Sequence, residues 1–67
     1  MEVYDALKIA VTTLHKEKLM YRTEFKLTAA KVEHEWVFWF VFLPETPGLD
    51  VTAMVGDDGN VRTLVGI

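Results

Sequence analysis

A chain of 67 residues, 51% of them apolar, has room for one domain, 1–67, and at that size folding buries only about 60% of the unfolded surface. Cysteine and serine are both absent, which excludes disulfides, thiolate metal sites and a serine nucleophile. The net charge of −3 is unevenly spread, with the acids concentrated after residue 31, and that acidic second half argues against nucleic acid as a partner.

Residues 2–19 carry the pattern of an amphipathic helix. Val3, Leu7, Ala10, Val11 and Leu14 recur at the spacing of one buried stripe, with Tyr4 and Ala6 at its flanks and Ile9 outside it. Asp5, Lys8, Thr12 and Lys16 fall on the opposite side. Acids lie in the first turns and His15, Lys16 and Lys18 in the last, which suits the helix dipole. A polar face that mixes acids with bases is unlike a membrane-surface helix, so no membrane partner is expected. No stretch approaches the roughly 18 apolar residues of a membrane span. The start, Met1-Glu2-Val3-Tyr4-Asp5, is acidic where a signal peptide is basic, and the expected location is cytoplasmic.

Residues 21–35 fit two patterns. Phe25, Leu27 and Ala29 alternate with Lys26 and Thr28 as on a half-buried strand. Phe25, Ala29, Val32 and Trp36 also fit a helical spacing, with Thr23 as a possible cap. A strand over about 23–32 is preferred, because the next segment needs a partner, and a turn at Glu33-His34-Glu35 would supply one.

That next segment, Trp36–Leu43, organises the rest. It has no polar side chain and is rich in aromatic and β-branched types, which reads as a strand over 36–43. Alternation puts Trp36, Phe38, Phe40 and Phe42 on one face and Val37, Trp39, Val41 and Leu43 on the other. The first row is expected to be buried under the helix, together with Leu7 and Leu14. Pro44 to Gly48 form a turn. A strand over 49–55 follows, with Leu49, Val51, Ala53 and Val55 alternating with Asp50, Thr52 and Met54. Gly56-Asp57-Asp58-Gly59-Asn60 is a hairpin signal in which Gly59 needs positive φ. The closing strand, 61–66, sets Val61, Thr63, Val65 and Ile67 against Arg62 and Leu64. The fold class is therefore α+β, one N-terminal helix packed on an antiparallel meander of three or four strands.

This order of elements resembles PepSY-like domains and, more loosely, cystatin-like α+β folds. The resemblance lies in the helix segment Ala6-Leu7-Lys8-Ile9-Ala10, the strand opening Trp36-Val37-Phe38 and the hairpin Val55-Gly56-Asp57-Asp58-Gly59-Asn60-Val61. It implies a tendency towards binding or inhibitory roles, or the binding of a small apolar ligand in a sensory domain. It carries over no catalytic residue.

Candidate chemistry is thin. Glu33-His34-Glu35 has the residue types of a metal site, but on a strand His34 cannot share a face with both acids, and only His15 offers a second imidazole. Asp57-Asp58-Gly59-Asn60 lacks the spaced oxygens and distal Glu of a calcium loop. Asp5, Glu17 and Glu24 have nothing to bring two of them into one cleft, and Thr12-Thr13 lacks an adjacent base. The aromatic run holds no Lys or Arg to interleave with stacked bases.

The expectation is thus a non-enzymatic protein-binding module without catalytic residue, metal or cofactor. Small, acidic, cysteine-free chains are frequent among phage and mobile-element inhibitors, which act by occluding a protein partner. One helix covers one side of a sheet, so Val37, Trp39, Val41 and Leu43, with Met54 and Leu64 beside them, are left as an apolar interface. The same row predicts a homodimer with Trp39 near its centre, with pairing through a sheet edge, or a sheet curled to fold the patch inward, as the alternatives.

Overall fold

The computed structural model describes residues 1–66. Helix α1 spans Val3–Lys16, followed by β1 at Phe25–Val32, β2 at Glu35–Phe42, β3 at Asp50–Gly56 and β4 at Val61–Val65. The strands form one antiparallel sheet in the order β1-β2-β3-β4, a meander with the helix on one side. The α+β class expected from the sequence is the observed one. Ile67, expected in the inner row of the last strand, lies outside the described residues.

The helix stops at Lys16, three residues before the expected end, because its last turn is closed by the backbone. Leu19 N–H donates to Leu14 O at 2.8 Å and Lys18 N–H to His15 O at 3.2 Å. Lys18 sits between them at φ +60. That pair of bonds with a left-handed residue is a Schellman closure, here with lysine where glycine is usual.

The core is built from two rows. Phe38, Phe40 and Phe42 of β2 and Val51, Ala53 and Val55 of β3 are buried against Ala6, Ala10 and Leu14. The helix meets the sheet along the i, i+4, i+8 line of Ala6, so this alanine is central rather than flanking. Two methyl groups there present little bulk to the aromatic row. Leu7, Val11 and Ile9 pack half-buried on either side, and Trp36 is likewise half-buried rather than enclosed. Tyr4, expected at a flank, points outward at 80% exposure.

Strand β1 departs furthest from expectation. It begins at Phe25 rather than residue 23, and its inner face is not buried. Phe25 is half-covered, but Leu27 and Ala29 are exposed. The reason is the path of the chain. Thr63 Oγ1 of β4 donates to Glu17 Oε1 at 2.9 Å, which ties the helix end to the far edge of the sheet. Residues 19–24 must then cross back to β1, packing Tyr21 edge-on against Phe42 at 5.5 Å. The helix backbone therefore lies close to β2, β3 and β4 and stays away from β1.

The β1–β2 turn holds Glu33 and His34 alone, with Glu35 already in β2. Glu33 has φ +55, a conformation that favours glycine. In the β3–β4 hairpin Gly59 takes φ +87, and Asp58 braces the turn by accepting from Asn60 N–H at 3.0 Å.

Candidate functional site: the outer face of the sheet

The register decides which side chains share the face turned away from the helix. Val37 stands between Ala30 and Met54, Trp39 between Thr28 and Thr52, and Val41 between Lys26 and Asp50. Leu64 lies beyond Thr52 in the row of Trp39, and Arg62 beyond Met54 in the row of Val37. Val37, Trp39, Val41, Met54 and Leu64 thus stand on one uncovered surface. Leu43 continues the same parity one residue past the end of β2.

Trp39 is 46% exposed and Leu64 61% exposed, while Val37, Val41 and Met54 are half-buried among their neighbours. The patch is bounded by charge. Lys26 Nζ donates to Glu45 Oε1 at 2.7 Å at one end. At the other, one guanidinium nitrogen of Arg62 reaches both oxygens of Glu35, at 3.0 and 2.9 Å. Such exposed pairs contribute little to stability, but they give the apolar centre a polar rim. The indole N–H of Trp39 donates to Asp50 Oδ2 at 2.8 Å, which fixes the ring over the patch. Gly66 lies close behind that carboxylate, where a Cβ would collide with it.

Asp50, Lys26, Glu35 and Arg62 were not singled out as site residues from the sequence. The signal was available, since all four occupy outer-face positions once the strand parity is known. Their pairing across strands needs the register, which no single strand determines.

A second cluster closes the opposite end of the sheet. Lys31 Nζ donates to Asp57 Oδ1 at 2.9 Å and lies 5.3 Å from the Trp36 ring centre. The hydrogen bond from Lys31 holds the Asp57 carboxyl below its ordinary value of 3.8. His34 Nδ1 stands 3.6 Å from Asp57 Oδ2 on an otherwise exposed ring. Glu33, His34 and Glu35 do not converge, for Glu35 turns to Arg62. Among the described residues no three His, Asp or Glu side chains gather closely enough to hold a metal ion. No helix among them is long and apolar enough to cross a membrane.

No family model, curated protein or solved structure matches this chain.

Proposed function

We propose that this chain is a non-enzymatic protein-binding module, a small inhibitor or regulator that acts by occluding a protein partner and works as a homodimer. The observation that carries this reading is the uncovered outer face. An exposed tryptophan and leucine stand among half-buried aliphatic side chains inside a rim of ion pairs. An apolar centre with a polar rim, and an aromatic anchor in the middle, is the anatomy of a protein interface. Val37, Trp39, Val41, Met54 and Leu64 are its contact residues, with Leu43 at the margin.

An apolar ligand held between helix and sheet is the competing reading drawn from the sensory-domain resemblance. That layer is filled by Ala6, Ala10, Leu14, Phe38 and Phe40, all fully buried, so the outer face is the better-supported site. The test compares wild type with Trp39→Glu and Leu64→Glu as immobilised baits, after circular dichroism has verified their fold. A partner held by wild type and lost from both variants is the expected result. Equal capture by all three would remove the outer face from consideration.

A further inference from the structure

We propose that the homodimer forms through the open edge of β1, which pairs antiparallel with β1 of a second copy so that the two sheets become one. This rests on the homodimer in the reading above, but moves its contact from the Trp39 row to the strand edge and leaves that row to the protein partner. The starting point is which backbone groups of β1 are free. Leu43 N–H donates to Glu24 O at 2.9 Å, in the same register that pairs Phe25 with Phe42. Hydrogen-bonded and non-hydrogen-bonded pairs alternate along an antiparallel ladder. Lys26, Thr28, Ala30 and Val32 therefore bond to β2, whereas Phe25, Leu27, Ala29 and Lys31 turn their N–H and C=O groups to the edge. No described strand lies beyond them.

Those four residues are complementary to a second copy of themselves. A two-fold axis through Thr28 sets Leu27 opposite Ala29 of the other copy, and Phe25 opposite its Lys31. Each such pair exchanges two backbone bonds, and every edge-facing group of both strands is used. Directly opposed residues share a face, so both helices stay on one side of the joined sheet. The two Thr28 side chains meet at the axis, a favourable cross-strand pair.

Three further observations admit a second copy at this edge. The helix backbone stays away from β1, and among the strand's residues only Phe25, at its start, shares a hollow with helix side chains, those of Val11 and His15. The strand runs eight residues in unbroken register, without proline. Its two lysines, the charges that ordinarily guard an open edge, are each already paired inside their own chain, Lys26 with Glu45 and Lys31 with Asp57. In the proposed register neither lysine faces a lysine. Leu27, 39% exposed on the inner side, gains an apolar neighbour in the second copy. The outer face stays open on both copies and is left for the partner.

The register can be tested by cross-linking, because the chain has no cysteine of its own. At a non-hydrogen-bonded pair on the axis the two Cα atoms stand about 4.5 Å apart, within disulfide reach. Thr28→Cys should give nearly complete covalent dimer under mild oxidation, and Thr52→Cys, in the middle of the outer face, should give little. Ala29→Pro removes an edge-facing N–H and leaves the β1–β2 ladder intact, so it should yield folded monomer by light scattering. Trp39→Glu should remain dimeric while losing the protein partner, which separates failure of the edge from failure of the outer face. A monomeric wild type at several hundred micromolar, or covalent dimer from Thr52→Cys rather than from Thr28→Cys, overturns the proposal. So does an Ala29→Pro variant that stays dimeric with native circular dichroism.

Discussion

The two faces of β2 come from one run of eight apolar residues, yet they have opposite fates. Phe38, Phe40 and Phe42 are buried in the core beneath the helix, Phe42 against the rings of Tyr21 and Phe25, whereas Trp39, one position away, keeps nearly half its surface open. Hydrophobicity does not separate them, since both rows are apolar throughout. What separates them is supply. A single helix of 14 residues can close one side of the sheet, and nothing among the described residues closes the other. Burial is thus a property of what is available to cover a face.

Truncation on the two faces should therefore differ most. Phe38→Ala or Phe40→Ala removes a fully buried ring and should cost ~3–5 kcal/mol. Total stability for a domain of this size is about 3–10 kcal/mol, so a thermal melt should find either variant largely unfolded. Native-like cooperative melting of both would mean that the faces are assigned the wrong way round.

Trp39→Ala should cost about 1 kcal/mol, the scale of a half-exposed site. Its consequence belongs instead to partner capture. Should the melting temperature fall as far as for Phe38→Ala, the outer face is structural and the contrast disappears.

A finer change reaches Trp39 without touching it. A methyl group on Gly66 must displace the Asp50 carboxylate, which then releases the indole N–H. Gly66→Ala should cost about 0.5–1.5 kcal/mol, the net value of one hydrogen bond. The indole proton resonance of Trp39 should shift while that of Trp36 stays in place. An unmoved resonance would show that Asp50 does not hold the ring.

The smallest expected effect concerns the charged end of the inner row, where Lys31 lies past the reach of the helix. Asp57 titrates lower in the folded chain than in the unfolded one because Lys31 donates to it. That contribution is present above pH 3.8 and is lost as pH falls through the folded-state value. Wild type should accordingly lose slightly more stability than Asp57→Asn between pH 5 and pH 3 in parallel melts, a small difference because the pair is exposed to solvent. Identical pH profiles would remove Asp57 from the account.

The elements were legible because their signals are local. Alternation in residues 36–43, the helical stripe from Val3 to Leu14 and the Gly59 turn each depend on neighbours a few positions away. The strand reading of 21–35 was correct against a helical alternative, and what decided it was the need of β2 for a partner. Two things were not legible. The offset of the helix towards β4 depends on Glu17 meeting Thr63, 46 positions apart, and no periodicity carries such a contact. The rim of the outer face needs three registers at once, so Arg62 and Glu35 could not be joined from the sequence. Lys18 and Glu33 conceal their turns for another reason, since each takes positive φ without being glycine.

The bond between Trp39 and Asp50 has a consequence for any molecule that lands on this face. An indole whose only donor already has an acceptor presents a ring and no unmet polar group, so an arriving surface need not bring an acceptor of its own. Because the side chain is tethered before contact, less rotamer freedom is lost on association. Selectivity at this position must then come from shape and from the flanking charges of Lys26, Glu45, Glu35 and Arg62. The anchor is preorganised for a flat apolar surface, and it asks little else of what it meets.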